Sequence, residues 1–208
     1  MSTNAAGTSG ANALSFLADL NADGTKVLFL SSASDLGFPD TTPGPAPDLY
    51  VRDLVTGELA RITSTPDGTD GGNGATSSGQ FSPDGTKVLF QSLASNLGPV
   101  DTNGVSDIYI HDLESGTTDL VTTNPAGTDG ANGASRNPGF SPDGNVIAFT
   151  SVASDLGPTD ANGADDVYVR DLVHGTTVLL SANASNTDSG NDYSTSPVFS
   201  PDSSLVAF

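Results

Sequence analysis

The sequence contains no cysteine, and only 6 of its 208 residues are lysine or arginine, against 25 aspartates and glutamates. Without cysteine the chain can form no disulfide, no thiolate metal site and no cysteine nucleophile. A formal charge of −19 repels nucleic acid and anionic membranes, so neither is expected as a partner. No apolar run approaches the roughly 20 residues of a membrane helix, so we expect no membrane insertion.

Catalytic signals are equally scarce. His111 and His174 are the only histidines, and neither neighbours an obvious nucleophile, which argues against a Ser-His-Asp triad. The sequence has no Gly-x-Ser-x-Gly elbow and no phosphate-binding Gly-Lys loop. The adjacent Asp165 and Asp166 have the residue type of a glycosidase pair, but 25 acidic residues make such pairs common by chance. We therefore predict that the chain is not an enzyme.

What the sequence does contain is 24 glycines, 13 prolines and 35% hydrophobic residues. The apolar fraction argues against disorder, and the frequent glycine and proline argue for short elements joined by tight turns. No segment has a convincing helical pattern of apolar residues. These features predict an all-β protein.

The chain is built from an internal repeat of about 59 residues. One motif marks each copy at the same place: Phe81–Gly85, Phe140–Gly144 and Phe199–Ser203, with a degraded copy at Leu20–Gly24. The spacing between the motif aspartates is 61 residues in the first interval and 59 in the others, and the two extra residues lie between Asp40 and Asp48. A repeat of this length indicates stacked or ring-forming units.

Each repeat carries four strand signals. The second is a run of consecutive apolar residues such as Val88–Phe90, which predicts a strand covered on both faces. The third has the pattern Asp-x-Tyr and ends near a glycine such as Gly116 that would close a hairpin. Four strands in each repeat predict an arc of four-stranded antiparallel β-propeller blades, three full repeats plus half of a fourth. The repeats span 4–64, 65–123, 124–182 and, in part, 183–208, with no separate second domain; a β-solenoid is the alternative, although its coils are usually shorter.

The Phe-Ser-Pro-Asp-Gly turn, the apolar strand after it and the Asp-x-Tyr-x-x-Asp strand together resemble the repeat of TolB-type β-propellers. The resemblance covers residues 4–208 and implies the propeller architecture. It says little about activity, because this fold carries many unrelated functions.

The last predicted strand ends at Phe208 with an unpaired apolar edge, which invites pairing with another chain. We therefore expect protein partners, either further copies of the chain or the rest of a longer polypeptide.

Two loops between the second and third strands have the composition of a calcium site. Calcium prefers oxygen ligands from carboxylates, amide side chains and backbone carbonyls, and a glycine lets such a loop turn around the ion. The loop resembles the start of an EF-hand, although its spacing is shorter and no closing glutamate follows. The predicted ligands are Asp101, Asn103, the carbonyl of Val105, and Asp107 in one repeat, and Asp160, Asn162, the carbonyl of Ala164, and Asp166 in the next. The alternative is an Asn-Gly turn with solvated aspartates.

The first repeat departs from this pattern, because Pro43, Gly44 and Pro45 stand between Asp40 and Asp48 and no asparagine is present. A site there is not expected.

A second recurring loop joins consecutive blades and includes Asp70, Asp129 and Asp188. Because the first copy has Ser9 at this place, we interpret the loop as structural, with ligand binding as the alternative. The recurring Tyr50, Tyr109 and Tyr168 are predicted to pack between blades rather than to form a sugar-binding platform.

Two functions remain open. The first is a non-catalytic binding or structural module that is stabilised by calcium and acts through protein–protein or self-assembly contacts. We expect it in an extracellular or periplasmic location, although residues 1–7 do not have the pattern of a signal peptide. The second is an accessory propeller resembling those that gate prolyl-oligopeptidase-type hydrolases, with the catalytic domain elsewhere. The acidity could equally reflect adaptation to salt.

Overall fold

The computed structural model describes residues 2–41, 46–157 and 160–208. These residues form β-strands and loops, and no helix in this part of the chain is long and apolar enough to cross a membrane. The strands are β1 (Ser15–Leu20), β2 (Lys26–Ser31), β3 (Asp48–Asp53), β4 (Leu59–Arg61), β5 (Thr76–Phe81), β6 (Lys87–Ser92), β7 (Asp107–Asp112), β8 (Thr118–Leu120), β9 (Ser135–Phe140), β10 (Val146–Ser151), β11 (Asp166–Asp171), β12 (Thr176–Leu179), β13 (Val198–Phe199) and β14 (Val206–Ala207).

The strands pair in chain order into separate antiparallel sheets. Strands β1 to β4 form blade 1, β5 to β8 form blade 2, β9 to β12 form blade 3, and β13 pairs with β14 in a final hairpin. The first strands of blades 2 and 3, β5 and β9, pack against the preceding blade. The result is an open arc, so the predicted all-β propeller arc of three and a half units is confirmed.

The recurring Phe-Ser-Pro-Asp-Gly motif forms the turn between the first and second strands of a blade. In blade 2, Gly85 has a φ of 72°, a conformation that glycine adopts without strain. The Asp84 carboxylate accepts hydrogen bonds from the Ser82 hydroxyl at 2.6 Å and from the Thr86 backbone N–H at 3.0 Å. The motif is therefore a turn held by its own aspartate, as predicted.

The core lies between the blades rather than inside any one sheet. On β6, Phe90 faces blade 1 and Leu89 faces blade 3, and both are fully buried. This explains why consecutive residues of the second strands are apolar: each alternate side chain meets a different neighbouring blade. The strand therefore has two covered faces, as its sequence predicts.

The recurring tyrosines belong to this core. Tyr109 stacks on Phe90 with ring centroids 5.5 Å apart, and Tyr168 stacks on Phe149 at 5.8 Å. Both tyrosines are fully buried between blades, as predicted, whereas Tyr50 is buried among residues of blade 1 itself, at the open end of the arc. The hydroxyl groups of Tyr109 and Tyr168, however, also reach polar partners that the sequence did not indicate.

Large apolar side chains are exposed at the two ends of the arc. At the first end Phe16 and Leu17 of β1 are 60% and 64% exposed. At the other end Val198, Leu205 and Phe208 are between 54% and 69% exposed. Inside the arc the counterparts of Phe208, Phe90 and Phe149, are fully buried against the neighbouring blade.

Candidate metal centre

The two carboxylates of the predicted site in blade 2 are buried and fixed in place. Asp107 is the first residue of β7, and its Oδ1 accepts a hydrogen bond of 2.6 Å from the Thr122 hydroxyl. Asp101 lies in the preceding loop, and its Oδ2 accepts a hydrogen bond from the Tyr109 hydroxyl. Only 5% of Asp101 and none of Asp107 is exposed to solvent.

Asn103 lies between these carboxylates and the loop that leads into blade 3. Its Nδ2 donates to Asp107 Oδ2 and to the carbonyl oxygen of Ala131, both at 2.6 Å. Its Oδ1 accepts from the backbone N–H of Val105 at 2.8 Å, which folds the loop back through Gly104 at a φ of 70°. The asparagine therefore bridges two blades.

The three side chains converge on one point, the place where a Cβ on Gly130 would stand. Asn103 Nδ2 is 2.8 Å from that point, Asp101 Oδ1 is 3.1 Å away and Asp107 Oδ2 is 3.4 Å away. Asp101 Oδ1 is buried and has no hydrogen-bond partner. We call this group the blade 2 cluster: Asp101, Asn103, Asp107 and the Ala131 carbonyl.

Blade 3 repeats the arrangement one unit later. Asn162 Nδ2 donates to Asp166 Oδ2 at 2.9 Å and to the carbonyl of Gly190 at 2.8 Å. Asp160 Oδ2 accepts from the Tyr168 hydroxyl at 2.8 Å, and Asp160 Oδ1 is buried without a partner. Asn162 Oδ1 accepts from the Ala164 N–H at 2.6 Å. We call Asp160, Asn162, Asp166 and the Gly190 carbonyl the blade 3 cluster.

Burial controls the electrostatics of both clusters. Desolvation raises the pKa of Asp107 to about 6, and the nearby Asp101 adds to that rise. Desolvation also raises the pKa of Asp166. Burial and the adjacent carboxylates raise the pKa of Tyr109 and of Tyr168, so both phenols remain neutral donors. Negative charge in these clusters is therefore costly unless a cation accompanies it.

In blade 1 an arginine provides the positive charge beside a buried carboxylate. Nη1 of the buried Arg61 lies 3.8 Å from Asp48 Oδ2 and donates to the carbonyl of Pro39 at 2.6 Å. We expected no calcium site in this repeat, partly because of Pro43, Gly44 and Pro45. Those three residues lie outside the described part of the chain. The arginine was not indicated by that loop, because it comes from β4.

The inter-blade aspartates hold neighbouring loops together. Asp129 Oδ1 accepts hydrogen bonds of 2.8 Å from the backbone N–H groups of Thr102 and Gly130. Asp188 accepts a backbone bond from Ala161 at 3.1 Å, and Asp70 accepts one from Thr41 at 2.8 Å. Their contacts match the structural interpretation of this loop.

The structure thus brings the predicted aspartates and asparagines together in each of two clusters. Val105 and Ala164 take part through their N–H groups, and the role of their carbonyls as ligands stays a prediction. Sequence reasoning missed the Ala131 and Gly190 carbonyls, which come from distant loops. In the described residues no group of three or more His, Asp or Glu side chains is placed to hold a metal, so any ion here would rely on two carboxylates and neutral oxygens.

The remaining candidate catalytic groups lie apart from one another. His111 is half-buried and its Nδ1 is 2.9 Å from the Thr118 hydroxyl, while His174 is exposed and pairs with Asp171 at 2.8 Å. The side chain of Asp165 lies 3.2 Å from Arg136. Across the described ranges these contacts provide no positive evidence for enzymatic activity.

The fold and its repeated blades make this chain a β-propeller protein of open-arc form. Its structure is similar to that of TolB from Acinetobacter baumannii, with 25% identity and a TM-score of 0.52, over 96% of this chain and 38% of that one. It is also similar to a putative TolB from Agrobacterium tumefaciens, with 20% identity and a TM-score of 0.51, over 80% of this chain and 49% of that one.

The chain spans less than half the length of each TolB protein that it matches. No family model matches the chain, and no curated protein matches its sequence. The structural neighbours bear out the TolB-like propeller architecture, while the Phe-Ser-Pro-Asp-Gly turn as a signature of that family stays a prediction.

Proposed function

We propose that the chain is a non-catalytic β-propeller module that acts through protein–protein contacts and is stabilised by calcium. The observation that supports it most directly is the exposure of large apolar side chains at both ends of the arc. Large apolar side chains exposed together along the edge of a sheet are typical of surfaces that bind another polypeptide segment.

A comparison of equivalent repeat positions indicates what such a patch would bind. Phe149 of blade 3 is fully buried against blade 2, whereas Phe208, at the same place in the next repeat, is 54% exposed. Phe81 at the end of β5 is 5% exposed, whereas Leu20 at the end of β1 is 51% exposed. The surfaces left open at the ends therefore have the chemistry of blade faces, and the occupant that fits them is another blade, supplied by a second copy of this chain or by the rest of a longer polypeptide.

Sedimentation velocity over a range of concentrations tests this proposal. We expect a species larger than the 20.8 kDa chain, and we expect Phe208→Asp to shift the population toward monomer. Val55→Asp is the matched control, because Val55 is 77% exposed in the turn between β3 and β4, away from both ends. A well-behaved monomer at every concentration would contradict self-association.

A location outside the cytoplasm is part of the proposal. Calcium sites of extracellular modules have dissociation constants of about 10⁻⁴ to 10⁻³ M, and two carboxylates with neutral oxygens fit that range. Cell fractionation followed by immunoblotting would test it, and recovery of the protein in the cytoplasmic fraction would contradict it.

The alternative function stays open as a prediction. An accessory propeller of a larger hydrolase requires a catalytic domain in the same polypeptide. Sequencing the gene on both sides of the region encoding this chain would decide, since a serine-hydrolase domain favours the accessory function and further repeats favour the binding module.

A further inference from the structure

We infer that one divalent cation, with calcium the best chemical fit, binds the blade 2 cluster and another binds the blade 3 cluster, each in the position that the Arg61 guanidinium takes in blade 1. The inference rests on the proposed stabilisation by calcium.

Blade 1 shows that a cation belongs at this place in the repeat. Gly71 is the counterpart of Gly130, since each forms the same isolated bridge at the start of the inter-blade loop. Around the point where a Cβ on Gly71 would stand, Asp48 Oδ2 is 2.9 Å away, and both Asp40 Oδ1 and Arg61 Nη1 are 3.2 Å away. The Arg61 side chain is completely buried. The blade therefore places one positive charge of the protein beside its two carboxylates.

Blades 2 and 3 keep the carboxylates but not the arginine. Arg61 pairs with Tyr50 across the sheet, and the residues in the same register are Leu120 opposite Tyr109 and Leu179 opposite Tyr168. A leucine carries no charge, so the cluster carboxylates of these blades have no arginine at that position.

The uncompensated charge is visible at single atoms. Asp101 is 5% exposed and Asp160 is 6% exposed, and Oδ1 of each is buried with no hydrogen-bond partner. In blade 2 this oxygen points to the same region as Asp107 Oδ2, near the Gly130 point. Leaving a buried carboxylate oxygen unpaired is costly, and a bound cation removes that cost.

The ligand set suits calcium. Asp107 Oδ2 and the Ala131 carbonyl accept hydrogen bonds from the Asn103 amide, and Asp101 Oδ1 lies 3.1 Å from the same Gly130 point as that amide. A half-turn of that amide exchanges Nδ2 for Oδ1 and provides four oxygens. It breaks the bonds that Nδ2 donates to Asp107 and Ala131 and the bond that Oδ1 accepts from the Val105 N–H, and the bound ion replaces the first two. Calcium accepts irregular sets of oxygen ligands completed by water, whereas magnesium requires near-ideal octahedral geometry.

Each ion would join two consecutive units. Asp101 and Asp107 belong to blade 2, whereas Ala131 lies in the loop that leads into β9 of blade 3. The blade 3 cluster likewise joins Asp160 and Asp166 to Gly190, in the loop that precedes the final hairpin. Metal binding should therefore stiffen the connections between blades rather than any single sheet.

Terbium luminescence excited through tyrosine can locate the ions, because Tyr109 and Tyr168 donate directly to ligands of the two clusters. We expect two terbium ions per chain, displaced by calcium chloride. Tyr109→Phe and Tyr168→Phe should each remove about half of the sensitised emission. Tyr50→Phe is the matched control and should leave the emission unchanged, because Arg61 fills the position in that blade.

Calorimetric titration with calcium chloride provides the second measurement. The wild-type chain should bind two ions, Asp101→Asn and Asp160→Asn should each remove one, and Asp84→Asn, in a surface turn at the other end of the blade, should remove none. Leu120→Arg, which places the blade 1 residue in blade 2, should also reduce the count to one.

The outcomes separate this inference from the proposal beneath it. If the wild-type chain binds no calcium at 10 mM, both the inference and the proposed calcium stabilisation fail. If it binds calcium but Asp101→Asn and Asp160→Asn keep the full count, or if Tyr50→Phe loses the emission, only the assignment of the sites fails. If potassium chloride at equal ionic strength displaces terbium as well as calcium does, the sites are not selective for divalent ions and the inference is wrong.

Discussion

Phe149→Ala tests the blade-on-blade architecture at a fully buried point. Phe149 lies on β10, a central strand of blade 3, and none of its surface is exposed. It stacks on Tyr168 at a centroid distance of 5.8 Å and belongs to the apolar cluster between blades 2 and 3. Removing the ring therefore opens a cavity between two units instead of on a surface.

The expected loss of unfolding free energy is about 3–5 kcal/mol, the usual cost of replacing a buried phenylalanine with alanine in a protein core. Within that range, the lost aromatic pair accounts for about 0.5–1.5 kcal/mol. For a chain of this size each kcal/mol lowers the melting temperature by roughly 2–4 °C, so we expect a decrease of about 6–20 °C.

Urea denaturation followed by circular dichroism measures this loss, with the slope of the transition checked for a change in cooperativity. Phe29→Ala is the matched control. Phe29 has the same place in blade 1 but faces the open end of the arc, where it belongs to a small cluster with Ala33, Leu36 and Tyr50. We expect it to lose less stability than Phe149→Ala. Equal losses, or a loss below about 1 kcal/mol for Phe149→Ala, would refute packing between the blades as the main source of stability.

Burial raises the pKa of Asp48 to about 6, so the folded chain retains a proton that the unfolded chain releases, and stability from this group is lost as the pH rises from about 4 to 6. The stability of the wild type relative to Asp48→Asn, from urea titrations, should fall over that window by up to about 3 kcal/mol, and a constant difference would contradict it. Gly133→Ala should cost about 1–3 kcal/mol by the same assay, since its Cβ would stand 2.8 Å from the Ala153 backbone, whereas Gly139→Ala, with open space there, should cost almost nothing. Adding 10 mM calcium should raise the melting temperature by about 6–20 °C, from about 1.4–2.7 kcal/mol at each of the two sites, and a chelator should reverse the rise; an unmoved curve would contradict calcium stabilisation.

The repeat made most of the fold predictable. A motif recurring at nearly constant spacing predicts four strands in each unit, and consecutive apolar residues such as Leu89 and Phe90 predict strands with two covered faces. Both follow from local patterns, because each unit packs only against its neighbours. The positions of the aspartates next to Asn103 and Asn162 were predictable for the same reason.

The groups that complete each cluster from outside the loop, the carbonyls of the next blade and the arginine of blade 1, were not predictable from the loop sequence. Ala131 contributes through its backbone, which any residue type provides, and it is 28 residues from Asn103 in the chain. Arg61 lies on β4, outside the loop, and it compensates the carboxylates only because the fold brings it next to Asp48. One signal was available: the repeat that lacks the asparagine is also the repeat with an arginine in place of Leu120 and Leu179. The sequence alone does not show that this arginine and the asparagine of the other repeats lie at the same place. That conclusion requires the register of the strands.

The most direct test is anomalous diffraction from crystals soaked in terbium chloride. We predict one strong peak beside Asp101 and one beside Asp160, with the Asn103 and Asn162 amide oxygens turned toward them, and no peak beside Asp48, where Arg61 stands. A peak in blade 1, or crystals with no peak in blades 2 and 3, would contradict the account.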